Sequence, residues 1–144
     1  MDSNKINNIL GLDYGERRIG VSFSVLDGKM AIPHSIISYK KIEDALKKLK
    51  TIISELKVEM IVLGLPITMK NIRGFKAEEV IRFKDILEEE TNLKVILEDE
   101  RLSTLQAKKA INPNSKNKYV DDASATIILN SFLEKKARQA WKKL

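Results

Sequence analysis

From Glu59 to Gly64 the chain reads Glu-Met-Ile-Val-Leu-Gly and runs on into Leu65-Pro66. An apolar run this short, without polar alternation, predicts a strand covered on both faces, and strands of that kind sit in the middle of layered α/β sheets. The flanking pattern agrees. Upstream, Ile42, Ala45, Leu46, Leu49, Ile52, Ile53 and Leu56 recur at three- and four-residue spacing, which predicts an amphipathic helix with Lys47, Lys48 and Lys50 mostly off its apolar stripe. Downstream, a second helix is expected over 77–90 and another strand over 94–97. Strands alternating with helices imply parallel pairing through helical crossovers.

The first forty residues follow a different period. Residues 9–12 (Ile-Leu-Gly-Leu) and 19–25 read as two short strands about a turn at Gly15-Glu16-Arg17-Arg18, and 30–39 supplies a third. An antiparallel meander joined to a parallel portion predicts a mixed sheet. The chain from Val120 onward reads as a helix, with Ala125, Ile128 and Phe132 on one stripe and a basic extension over 134–144. Residues 112–118, Asn-Pro-Asn-Ser-Lys-Asn-Lys, are polar, rich in turn formers and expected to form an exposed, mobile loop. With 144 residues, 43% of them hydrophobic, and no internal repeat, a single domain over 1–144 is expected.

Composition excludes several chemistries. There is no cysteine, so neither a disulfide nor a thiolate metal site nor a Cys nucleophile is available, and the lone His34 rules out a His-rich site. A formal charge of +6 and a pI near 9.4 lean toward a polyanionic partner such as nucleic acid, although Lys-rich surfaces also occur simply for solubility. The polar start, Met-Asp-Ser-Asn-Lys-Ile-Asn-Asn, and the lack of any apolar run of roughly 18 residues predict a cytoplasmic protein with no membrane partner.

Acidic residues fall where strands end or a helix begins: Asp13, the run Glu98-Asp99-Glu100, and the pair Asp121-Asp122. In an open α/β sheet the carboxyl ends of the strands border the ligand crevice, which both Asp13 and Asp99 would approach. Clustered carboxylates repel unless a cation sits among them, and hard oxygen donors select Mg²⁺ or Mn²⁺. Two such ions suit attack of water on a phosphodiester, one activating the water and the other stabilising the leaving oxygen. Local readings compete: Asp13 as a turn former before Gly15, Asp121 or Asp122 as an N-cap, and 98–100 as a solvated charge run. Strand alternation sets Val95, Leu97 and Asp99 on one face and Ile96, Glu98 and Glu100 on the other, which does not choose among them. Nor does helical spacing choose between Asp121 and Asp122.

Taken together, Gly11-Leu12-Asp13-Tyr14-Gly15 with Arg18-Ile19-Gly20-Val21, Gly64-Leu65-Pro66, Asp99-Glu100-Arg101-Leu102-Ser103-Thr104, and Val120-Asp121-Asp122-Ala123-Ser124-Ala125 with Ile127-Ile128-Leu129 form a set. From about residue 9 to 134 the chain resembles the YqgF (RuvX) family of pre-16S rRNA nucleases, also described as Holliday junction resolvase-like. The resemblance implies an RNase H-like α/β fold: a five-stranded mixed sheet, its first three strands antiparallel, with helices on both faces. It also implies catalysis by Asp13, the Asp99-Glu100 pair and Asp121, with Asp13, Glu100 and Asp121 as metal ligands for two Mg²⁺ or Mn²⁺ ions. Asp121 is thereby preferred to Asp122, and Glu100 slightly to Asp99.

The implied activity is metal-dependent endonucleolytic cleavage of structured nucleic acid. Precursor 16S rRNA is the favoured substrate, branched DNA the alternative, and ribosome-assembly factors are implied as partners of a monomer or weak dimer. Arg17, Arg18, Lys70, Arg73, Lys76 and Arg101 lie along the expected active edge as candidate backbone contacts. Departures from the family pattern are Glu16 in place of a frequent Thr, Thr68-Met69-Lys70-Asn71 in place of an Asn-Met-Asp-Gly turn, and a short segment before Val120. Two readings of other kinds stand beside the nuclease: a non-catalytic RNA-binding module, and an ATP-handling phosphotransferase whose phosphate loop Leu12-Asp13-Tyr14-Gly15 resembles.

Overall fold

The computed structural model describes residues 6–66, 75–99 and 120–142. Three strands come first, β1 (Ile9–Tyr14), β2 (Arg18–Val25) and β3 (Met30–Ser38), followed by α1 (Ile42–Leu56), β4 (Met60–Leu65), α2 (Phe75–Thr91), β5 (Lys94–Asp99) and α3 (Val120–Lys142). The sheet order is β3-β2-β1-β4-β5. β1 pairs antiparallel with β2, and β2 with β3, while β1–β4 and β4–β5 are parallel. The mixed sheet expected from the change of period is therefore present, with β1 at its centre.

Each face of the sheet buries its own core. On one face Leu10, Leu12, Ile19, Val21, Ile61, Leu63 and Val95 pack under α1 and α2, with Leu49, Val80, Phe83 and Leu87 as the main helix contributions. On the other, Ile9, Met60 and Val62 meet Ile128, Leu129 and Leu133 of α3. β4 is buried on both sides, which is why its sequence shows no alternation.

Two boundaries differ from the sequence reading in a way that matters. β1 does not stop at Leu12: Asp13 pairs with Gly20 and Tyr14 with Ile19. Asp13 is thus a strand residue within the ladder, not a turn former. β5 likewise extends through Asp99, which pairs with Leu65. The expected loop at 112–118 lies outside the described residues. No helix among the described residues is long and apolar enough to cross a membrane.

Candidate functional site

Strand parity assigns the carboxylates to faces. Asp13 lies on the α3 face with Ile9 and Gly11, and its partner across the antiparallel ladder is Gly20. Leu12 pairs with Leu63, so one step on Asp13 comes level with Gly64, and Gly64 pairs in turn with Glu98. The row through the carboxylate therefore reads Gly20, Asp13, Gly64, Glu98. The half-buried Asp13 thus has glycine, with no side chain, at the neighbouring position on each adjacent strand.

α3 crosses this row antiparallel to β1, held by a close approach at Gly11. A methyl group at Gly11 would meet Leu129 Cβ at 2.7 Å and the Ala125 carbonyl oxygen at 3.0 Å. The buried Ser22 hydroxyl donates to that same carbonyl at 2.7 Å. Toward the helix C-terminus, Lys136 donates to the Ile6 carbonyl at 3.0 Å, which sets the direction of travel. From Ala125 back to position 121 the helix advances about 6 Å, and from Gly11 to Asp13 the strand advances about 6.6 Å. Position 121 therefore comes level with Asp13.

Further contacts hold the frame. On the face opposite Asp13, the Tyr14 ring stacks on Phe83 of α2 at 4.5 Å and 28° between planes. Glu98, 6% exposed, accepts from Ser131 Oγ at 3.1 Å and Lys135 Nζ at 2.5 Å, tying β5 to α3. The Tyr39 hydroxyl donates to the Gly15 carbonyl and pins the turn that follows β1. Burial, then its hydrogen bond with Tyr14, pushes the Tyr39 phenol well above its ordinary range.

Asp99 lies on the α1/α2 face, with Val95 and Leu97, so parity separates it from Asp13. Among the described residues no three acidic or His side chains gather as a ligand set. Glu100, Lys70, Arg73 and Arg101 lie outside the described residues, as does the side chain of Asp121. Arg17 and Arg18 are exposed where β2 begins, and Lys76 is exposed in the first turn of α2.

Sequence reasoning missed Gly20 and Gly64 as the neighbours of Asp13, and Glu98 as an anchor for α3. A glycine inside a strand pattern is a signal of close approach and could have marked the first two. Glu98 carried no such signal, because its partner Lys135 is 37 residues away.

A five-stranded mixed sheet in this order, flanked by helices and bearing a carboxylate at the end of its central strand, defines the RNase H-like class of α/β folds. Solved structures of similar fold include T. thermophilus RuvC in complex with Holliday junction substrate, at TM-score 0.61 and 12% identity over 90% of this chain and 96% of that one. Another is the Fowlpox virus resolvase with Holliday junction DNA, at TM-score 0.54 and 15% identity over 89% and 97% of the two chains. The sequence profile of RuvX, described as a Holliday junction resolvase, matches residues 7–135. A protein of Clostridium kluyveri named "Putative pre-16S rRNA nuclease" is 39% identical over 132 residues, covering 88% of this chain and 96% of its own. One of the same name from Chloroflexus aurantiacus is 37% identical over 131 residues, covering 88% and 86%. The chain belongs to the RuvX family.

Proposed function

We propose that this chain is a metal-dependent endonuclease that hydrolyses phosphodiester bonds in structured nucleic acid, with maturation of the 5′ end of precursor 16S rRNA as its reaction. The observation that carries this is the placement of Asp13, set between two glycines on the central strand, with the first turn of α3 brought level by the packing at Gly11. The names of the relatives, pre-16S rRNA nucleases, favour the substrate.

The donors fit a hard divalent cation. Asp13 offers carboxylate oxygens between glycines on the two adjacent strands, and the family motif adds Glu100 and Asp121. The family resemblance slightly favours Glu100 over Asp99, and Asp99 lies on the face of the sheet away from Asp13. Two Mg²⁺ or Mn²⁺ ions, when bound, supply an activated water and charge stabilisation for the leaving oxygen. The chain's own part is to hold the carboxylates on rigid elements: β1 by its two ladders and the Tyr14–Phe83 stack, α3 by Gly11, Ser22 and Glu98. Arg17, Arg18, Lys76 and, by motif, Lys70, Arg73 and Arg101 position the backbone. The protein acts in the cytoplasm as a single domain, monomeric or weakly dimeric, in company with ribosome-assembly factors.

Cleavage of a labelled 16S precursor and of a four-way DNA junction, side by side with Mg²⁺ and Mn²⁺, tests this. Native protein cuts the precursor, and chelation or Asp13→Asn abolishes cutting; Glu100→Gln costs more activity than Asp99→Asn. A precursor left intact, or cut equally by Asp13→Asn, overturns the proposal. Symmetric cutting of the junction alone would make the chain a resolvase.

A further inference from the structure

Beside the turn that follows β1, an open groove of about 1210 Å³ runs between the β2–β3 end of the sheet and α1. Arg17, Arg18, Lys40, Lys47 and Lys48 line it, against two carboxylates, Glu16 and Asp44. The turn begins two residues after Asp13 and is fixed to the groove wall. The Tyr39 amide donates to the Arg17 carbonyl at 2.9 Å, and the Tyr39 hydroxyl reaches Gly15. On α1, Asp44, Lys47, Lys48 and Thr51 follow the three- and four-residue spacing of one helix face, about 10 Å long.

The lysines of this groove are not spent on ion pairing among the described residues. Elsewhere Lys50 meets Glu90, Lys84 meets Glu88 and Lys135 meets Glu98, each within 2.6 Å. Arg17, Lys40, Lys47 and Lys48 make no salt bridge among the described residues, and Lys48 only reaches the Ser38 carbonyl at 3.3 Å. The groove is larger than the roughly 300–1,000 Å³ typical of a small-molecule pocket. Among the described residues the exposed large hydrophobic side chains, Leu26, Met30, Ile32 and Ile86, do not line it, so they offer no apolar anchor there for a peptide. Among the described residues the one aromatic in its wall is Tyr39, half-buried with its hydroxyl committed to Gly15 and so unsuited to stacking. Cations in an open groove without a stacking ring suit contacts to the phosphates of a strand, which fix its path without reading its sequence.

We propose that this groove is a phosphate-backbone track. It leads the substrate strand from the Asp13 site around the β1–β2 turn and along α1, with Lys40, Lys47 and Lys48 as contacts beyond Arg17 and Arg18. The proposal rests on the nuclease reading for the identity of the strand, and its test is independent of cleavage.

Binding of a labelled single-stranded RNA spanning the 5′ processing region of precursor 16S rRNA is followed by anisotropy, with a chelator present so that nothing is cut. Salt is varied between about 50 and 200 mM, over which phosphate contacts dominate the change in affinity. Lys47→Ala/Lys48→Ala lowers the slope of log K against log salt by about 1.4, at about 0.7 per lost contact. Lys29→Ala/Lys94→Ala, which removes the same charge at the far end of the sheet, keeps the native slope. Alanine at exposed helix positions preserves α1, and circular dichroism checks it. A native slope in the first variant, or equal shifts in both, overturns the track. Groove-dependent binding by a protein that never cuts would leave the track standing and sink the nuclease; cleavage with an unaltered slope in the α1 variant would do the reverse.

Discussion

In Gly11→Ala the added Cβ would clash with Ser22 Oγ and lie 2.7 Å from Leu129 Cβ and 3.0 Å from the Ala125 carbonyl oxygen. The Ser22 hydroxyl is not free to turn aside, because it bridges to Ala125 at 2.7 Å. Leu129 Cβ is fixed to the helix backbone, so α3 must retreat by about 0.7 Å before ordinary contact is reached. Overpacking of this kind costs about 1–3 kcal/mol. Weakening the Ser22 bridge adds about 1 kcal/mol. A total near 2–4 kcal/mol in a chain of this length lowers Tm by on the order of 5–15 °C. Activity should fall further than stability explains. The retreat moves the helix turn that carries Asp121 away from Asp13, and a displacement approaching 1 Å at a reacting centre costs up to about 10²-fold in rate. Calorimetry gives the Tm, and single-turnover cleavage at 25 °C, where the variant remains folded, gives the rate. A variant that melts within about 2 °C of native and cuts at the native rate would refute the close seating of α3.

Lys135→Met leaves the buried Glu98 carboxylate with only the Ser131 hydroxyl. The urea midpoint should fall by the equivalent of about 1–3 kcal/mol, and adding Glu98→Gln should recover part of the loss; an unchanged midpoint would show that the pair holds nothing. Tyr39→Phe removes the hydroxyl bond to Gly15 at a cost of about 1 kcal/mol near neutrality. The folded-state pKa of Tyr39 is raised, chiefly by burial, so its contribution is complete below the unfolded value of about 10 and is lost as pH rises beyond it. Urea midpoints from pH 7 to 11 should therefore fall more steeply for native protein than for Tyr39→Phe, and parallel curves would contradict the assignment.

The fold was largely legible because hydrophobic period is a local property. The helical stripe from Ile42 to Leu56 coincides with α1, and the unalternating run before Gly64 is β4, buried on both faces. Motif spacing likewise singled out Asp13 and the helix beginning at Val120. What local pattern could not supply was the relation between elements distant in sequence. Whether Asp13 ended a strand or began a turn depended on a ladder partner, Gly20, and on the strand β4 some fifty residues later. Which face each carboxylate occupies followed from where α3 packs, and that was decided by the missing Cβ at Gly11, the Ser22 bridge and the Glu98–Lys135 pair. Sequence by itself determined the elements and the chemistry of the candidate donors, because propensity and side-chain type are carried residue by residue. Only the tertiary structure decided that Asp13 and the first turn of α3 come level on one face and that Asp99 belongs to the other, because those relations arise from packing across more than a hundred residues of chain.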